Sequence, residues 1–391
     1  MTETILHNVR ILDFTWVLAG PYATRIMADF GAEVIKVQPI MSAAEDSFAR
    51  GYYNTWNRNK LGITLNLNQP QGIALAKQLV SISDAVVENF TPRVMANWGL
   101  DYEHLKKIKP DVIMLSMSTM GNTGPWRDYV GFGPTVQAFS GITSLTSYRG
   151  EPSTGLGTSY ADHISGLMAT LALLGAMEYR QKTGEGQYID VSQVEAMSSL
   201  LGSAFLEYTV SGKPPEPAGN RSSEAAPHGV YRCRGDDRWC AIAVFSDDEW
   251  RGFKRALGNP PWAEAKKFAN LYSRLRNTDE LDRLVEGWTM EHTAEEVMAL
   301  LQGQGLAAGV VQTASDLANA PNLKARGFFI ELEHPEPGKT IADATPIKLS
   351  DTPAKYARTA PRQGQDNDYV YGELLGLSKD EIAELIRQGI I

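Results

Sequence analysis

The chain has 391 residues, of which 43% are hydrophobic and 21% charged, and it carries a formal net charge of −9. This suits a globular protein with room for more than one core and argues against nucleic acid or an anionic membrane as its main partner. Cys233 and Cys240 are the only cysteines, and His228 alone cannot complete a metal set with them, so two reduced structural thiols and no metal are expected. The N-terminus lacks a basic segment followed by an apolar core, and no apolar run approaches the roughly 18 residues of a spanning helix, so the expected location is cytoplasmic.

In chain order, residues 9–14 read as a buried strand, Trp16–Gly20 as a turn, and Pro21 as the first residue of a helix over 22–30. Gly31 ends that helix, and 32–37 is a second strand. A second unit has a strand at 63–67, a helix from Pro70 to about Ile82 and a strand over 85–90. A third has helical segments at 93–98 and 102–108 before a strand over 112–118. Strands alternating with helices predict a doubly wound parallel α/β sheet, whose ligand crevice lies at the carboxyl ends of the strands. That rule brings Trp16–Gly20, Glu88–Phe90 and Met117–Gly121 together. Residues 121–159 read as loops with short helical pieces. A long helix follows, closed by Gly184, then a strand over 188–192 and a helix over 194–210.

The linker 213–217 is Pro-rich, and the composition changes after it. The expected organisation is a large domain over 1–210, a smaller α+β domain over 211–325 and a C-terminal return over 326–391. In the small domain, 239–245 and 307–311 read as strands and 247–257, 278–290 and 293–302 as helices. The tail is β-like, and Ser378 with Glu381 forms a capping box ahead of a last helix.

Several side chains invite a chemical role. Asp162 falls at or near the N-terminus of the long helix, where free N–H groups and the helix dipole favour an ionised carboxylate; it is either a stabilising cap or a nucleophile presented on a helix end. His163, next to it, points about 100° away and suits packing or solvent better than proton transfer. Pro21 leaves a helix terminus open to an anion. The stretch Asn57-Arg58-Asn59-Lys60 is either a solvated turn or a phosphate contact. Glu88-Asn89-Phe90 is either a strand end satisfied by its own turn or a seat for adenine or a pantetheine arm. Arg50 and Arg93 are surface arginines by default. There is no G-x-G-x-x-G in the first turn, no Walker loop, no H-E-x-x-H and no G-x-S-x-G.

A set of fragments in fixed order carries a family likeness. They are Leu12-Asp13-Phe14-Thr15 with Ala19-Gly20-Pro21, residues 31–37, Asn59-Lys60 with 63–67, Val87–Phe90, Gly99–Tyr102, and Arg180 through Gln187 before Asp190. Together they resemble the family III CoA-transferases, a group that includes formyl-CoA transferase and the carnitine CoA-transferases, with the 2-methylacyl-CoA racemases as relatives. The resemblance implies that Asp162 is the catalytic aspartate. It places Asn89 and Phe90 against CoA and the Val17, Leu18 and Ala19 turn beside the thioester. Asn59, Lys60, Leu65, Arg93, Asn97 and Trp98 occupy the remaining CoA-contact positions.

The resemblance also implies an interlocked dimer, either of two copies or of two homologous chains. The activity implied is transfer of CoA from an acyl-CoA, with succinyl-CoA as donor, to a carboxylic acid. The route would be an aspartyl anhydride followed by an aspartyl-CoA thioester, with CoA as substrate and product. Trp16, Tyr22, Tyr52, Tyr53 and Trp56 would suit a bulky acceptor such as benzylsuccinate. Backbone donors for the oxyanion are expected near Gly155 and Gly157 or from a small-domain loop. The alternatives are a racemase and a non-catalytic CoA-binding subunit.

Departures from the family pattern are Asn68 and Asn97 at positions that are basic in many members, and Thr91-Pro92-Arg93 after Phe90, which makes Arg93 the substitute phosphate contact. The glycine run that covers the site of formyl-CoA transferase is missing, with 220–229 in its place. Gly131–Pro134 stands where the racemases carry Gly-His-Asp.

Overall fold

The computed structural model describes residues 4–40, 50–334 and 338–391. Its packing separates two compact units: residues 1–143, 155–214 and 324–391 form the first, and 144–154 with 215–323 the second. In the first, short apolar runs become strands β1 (Arg10–Asp13), β2 (Glu33–Gln38), β3 (Leu61–Thr64), β4 (Ala85–Glu88), β5 (Ile113–Ser116) and β6 (Tyr188–Asp190). The helices between them are α1 (Ala19–Asp29), α2 (Arg50–Trp56), α3 (Pro70–Ser81), α4 (Arg93–Asn97), α5 (Tyr102–Ile108), α6 (Gly133–Phe139) and α7 (Tyr160–Thr183). After β6 come α8 (Gln193–Ser198) and α9 (Gly202–Ser211). The side chain of Arg50 lies outside the described residues.

The six strands pair in parallel in the order β3-β2-β1-β4-β5-β6. Helices cover both faces, so the central strands are apolar on both sides. Ile11, Val34, Ala85 and Ile113 share one core with α1 and α7, whereas Leu12, Ile35, Val86 and Met114 share the other with α3 and α5. The chain order reverses between β1 and β4. In an open parallel sheet this switch point opens a crevice at the strands' carboxyl ends, where the turns after Asp13 and Glu88 meet.

Two expectations shift. Helix α1 begins at Ala19, so Pro21 is its third residue. Its missing N–H falls in the first turn, where no intrahelical acceptor exists, and the helix start is free to move back. The helix expected over 194–210 is broken into α8, a 3₁₀ turn at Ser199–Leu201 and α9. Ser198 and Ser199 bond to the carbonyls of Ser140 and Ala196 at the break, the usual way serine competes with helix continuation.

The second unit is an antiparallel sheet of β7 (His228–Arg232), β8 (Trp239–Ala243) and β9 (Ala307–Val310). It shares a core with α10 (Asp247–Ala256), α11 (Thr278–Thr289) and α12 (Ala294–Gln302), built around Ile242, Phe253, Leu281, Val285 and Leu301. Strand β7 is absent from the sequence-based assignment because it is an edge strand, half exposed and carrying Gly229. Both cysteines are free and buried here.

The C-terminal part returns to the first unit as a hairpin of β10 (Phe329–His334) and β11 (Gly338–Asp343) and ends in α13 (Lys379–Arg387). Ser378 and Glu381 form the expected capping box on α13. Among the described residues no helix is long and apolar enough to cross a membrane.

Candidate active site

Asp162 is the third residue of α7, behind the N-cap Ser159, and is 9% exposed. It is brought inward by Gly166, one turn later. A Cβ there would lie 2.8 Å from the carbonyl oxygen of Ala19 and 2.9 Å from the ring of Tyr22, so only glycine lets α7 approach α1 this closely. The first turns of two helices therefore converge, and the backbone N–H groups of Asp162 itself and of Ala19 both act on the Asp162 carboxylate to lower its pKa. Gly133, at the start of α6, forms a further wall: a Cβ there would sit 2.9 Å from Oδ2 of Asp162. Burial raises the pKa of Asp162, opposed by the charge of His163 and by the two N–H donors. Burial and the charge of Asp162 raise the pKa of Tyr52, and the Ser159 hydroxyl opposes them.

The turn that delivers Ala19 is held under strain. Val17 has φ = 64°, a left-handed conformation that a β-branched residue adopts only when its surroundings impose it. The side-chain amide of Asn89 imposes it. Its Oδ1 accepts the Trp16 N–H at 2.7 Å, and its Nδ2 donates to the Trp16 carbonyl at 2.9 Å. Asn89 is thus committed to another turn rather than to its own. Val17 itself is 53% exposed, while Leu18 and Ala19 are buried.

Phe90 follows Asn89 and packs edge to face on Trp98, with centroids 5.7 Å apart. Arg93 and Asn97 are exposed at the two ends of α4, and the Arg93 guanidinium lies 3.5 Å from Asp128. These residues share one surface at the end of β4. Leu65 is buried in the core.

The 57–60 stretch is not a solvated turn, because both of its cations are enclosed. Arg58 pairs with Asp29 at 2.6 Å, and Lys60 reaches Asp13, Pro21, Thr24 and Asn57. Asn59, at φ = 63°, spends its amide on Asp29 and on the backbone of Lys355, Ala357 and Arg358. His163 donates Nδ1–H to the Ser159 carbonyl at 2.8 Å and packs against Tyr22 and Trp56, which makes it a packing residue.

A mainly apolar cavity of about 350 Å³ is lined by Trp16, Val17, Gln38, Tyr52 and Tyr53 among others. Tyr52 connects it to Ser159 and Asp162. Gly133 and Ser159 were not singled out from sequence for this site. Gly133 owes its role to a carboxylate distant in the chain, whereas Ser159 stands three residues ahead of Asp162 in the stretch read only as the loop before the helix. Among the described residues no group of three or more His, Cys, Asp or Glu side chains could hold a metal ion.

A family model described as CoA-transferase family III matches residues 6–367. The chain belongs to that family. The transferase is 35% identical to the succinyl-CoA–D-citramalate CoA-transferase of Chloroflexus aurantiacus over 99% of this chain and 98% of that one. It is 30% identical to the succinate–glutarate CoA-transferase of Agrobacterium fabrum over 94% and 95% of the two chains. Its fold matches the crystal structure of a CAIB/BAIF family protein from Brucella suis with a TM-score of 0.88 at 29% identity, covering 95% of this chain and all of that one. CoA transfer is therefore its activity, and CoA thioesters are its substrates.

Proposed function

We propose that this transferase moves CoA from succinyl-CoA to a second carboxylic acid through covalent intermediates on Asp162. The observation that carries this is the buried carboxylate of Asp162, set by the close crossing at Gly166 against the start of the helix at Ala19 and beside the strained, solvent-facing Val17. The carboxylate attacks the thioester carbonyl; the C–S bond breaks, leaving a mixed anhydride and CoA thiolate. The thiolate then attacks the aspartyl carbonyl and releases the donor acid, which gives an aspartyl-CoA thioester. The acceptor carboxylate attacks that thioester, and the expelled thiolate takes the new acyl group and restores Asp162. No net proton is consumed.

At each tetrahedral stage on the aspartyl carbon the N–H groups of Ala19 and Asp162 are the donors for the developing oxyanion. Gly155 and Gly157, the candidates from sequence, lie on exposed backbone ahead of the helix. Burial around Asp162 keeps water from the anhydride.

In this proposal CoA runs from Val17–Ala19 past Asn89 and the Phe90–Trp98 pair toward Asn97, with Arg93 as the exposed cation for its phosphates. Leu65, Asn59 and Lys60 make their contacts within the fold rather than with CoA. The names of the relatives favour succinyl-CoA as donor. The cavity beside Tyr52 and Tyr53 suits the body of the acceptor acid, with room for an aromatic one such as benzylsuccinate. A second chain, identical or homologous, completes the assembly. Helix α9 buries none of its residues, with Val210 80% exposed, and Leu171 on α7 is 72% exposed. Two relatives are named as alpha and beta subunits of one transferase.

The test is peptide mass analysis after incubation with succinyl-CoA and trapping with hydroxylamine or borohydride. An adduct at Asp162 is expected, and Asp162→Ala should bind CoA yet lose transfer. Turnover by that variant near the parent rate would refute the assignment.

A further inference from the structure

Beneath the catalytic turn lies a buried ionic cluster of Asp13, Lys36 and Lys60, with Lys36 and Thr15 also lining the cavity beside Tyr52. Asp13 ends β1 with no exposure, and the ammonium groups of Lys36 and Lys60 both reach its carboxylate, at 3.3 and 3.0 Å. Two lysines share one buried carboxylate, an arrangement whose desolvation cost packing alone does not offset.

What the cluster holds is backbone. Oδ1 of Asp13 accepts the Thr15 N–H at 2.8 Å, and Lys36 donates to the Thr15 carbonyl. Lys60 donates to the Pro21 carbonyl at 3.0 Å, and the Thr24 hydroxyl bridges Lys60 and Asp13 at 2.7 Å from each. The segment from Thr15 to Pro21 is thus gripped at entry and exit. Between the grips lie the left-handed Val17 and the Ala19 N–H that meets Asp162. Among the described residues the side-chain charge that acts on Asp162 is that of His163, and the lysines reach the carboxylate through the chain. Burial lowers the Lys60 pKa to about 7, and although burial alone would raise Asp13, Lys36 and Lys60 hold it well below the carboxylate range.

We propose that Lys60 and Asp13 are positioning residues for CoA transfer: through the backbone of Thr15 and Pro21 they hold the strained turn in the one conformation that aims the Ala19 N–H at Asp162. This rests on Asp162 being the acylated residue. Asp13 on β1, Lys36 on β2, and Thr15 and Lys60 on the loops after β1 and before β3 converge on one point of support.

The experiment compares the parent with Lys60→Met, which keeps the stem and removes the charge, and with Thr24→Val, which removes only the bridging hydroxyl. Leu105→Ala, a cavity in the opposite core, serves as the stability control. Transfer kinetics, CoA affinity, Tm and the rate of adduct formation at Asp162 are measured on the full chain.

Both cluster variants are expected to lower kcat about tenfold or more and to slow adduct formation in proportion. The Kd for CoA should stay within about threefold. The control should lose Tm and keep kcat. If Lys60→Met does not fold, Thr24→Val decides. Folded cluster variants with kcat within about threefold of the parent, or a kcat loss matched by the control at equal Tm, overturn the proposal. A parent that forms no adduct overturns the Asp162 assignment and this proposal together; a parent that forms it, with Lys60→Met forming it equally fast, overturns the positioning role alone.

Discussion

Glu88 shows how a buried carboxyl can cost stability next to a site that uses one. It ends β4 almost fully enclosed, and burial pushes its pKa up to about 7, against hydrogen bonds from Ser116 and the Phe90 N–H. Between its ordinary value of 4.5 and about 7 the folded chain holds a proton that the unfolded chain has lost. Stability therefore falls as pH rises through that window, and the cost is complete above it. Glu88→Gln keeps an acceptor for Phe90 without the charge. It should stabilise the protein by up to about 3 kcal/mol near pH 8, an advantage that disappears below about pH 4.5. Urea unfolding of both proteins at the two extremes checks this, and equal midpoints near pH 8 would contradict it. Asp162 obeys the same logic, since its burial trades stability for a carboxylate kept away from water.

At the level of elements the site depends on how closely α1 and α7 cross. The contact at Gly166 is with backbone, the carbonyl of Ala19, which cannot rotate aside as a side chain can. Gly166→Ala should therefore push the helices apart, cost about 1–3 kcal/mol as overpacked cores do, and draw Asp162 off the Ala19 N–H. Lower kcat with unchanged CoA affinity is expected from steady-state kinetics and calorimetry. Full activity would mean that the crossing does not set the catalytic geometry. The sheet order contributes the other half: the switch between β1 and β4 places the turn after Asp13 beside Asn89, and a different strand order would separate them.

For the whole molecule the informative surfaces are apolar and uncovered. Phe205, Leu206 and Val210 on α9, together with Leu171 on α7, expose more apolar surface than isolated hydrophobic residues would explain. Sedimentation of the purified chain should give twice the chain mass, and Leu206→Glu should lower the association constant at least about tenfold. A monomeric parent at micromolar concentration would remove the proposed homodimer and leave a pairing with a homologous chain. Within the first unit the chain's two ends are already tied: Arg25 and Arg58 both reach Asp343, and Arg58 stacks on Tyr356.

The sequence by itself determined the alternation of strands and helices, the parallel sheet, the long helix closed by Gly184 and the family, because hydrophobic periodicity, turn glycines and the order of short motifs are all local signals. That Asp162, Asn89 and Phe90 stand at the ends of elements was legible for the same reason. Only the tertiary structure decided what those residues do to one another. It made Asn89 the clamp of a turn 73 residues away, enclosed Lys60 and Arg58 where their position suggested solvent or phosphate, and set Gly133 and Ala19 against Asp162. No local pattern encodes these outcomes: they depend on which strand ends meet at the switch point and on how closely Gly166 lets two helices approach.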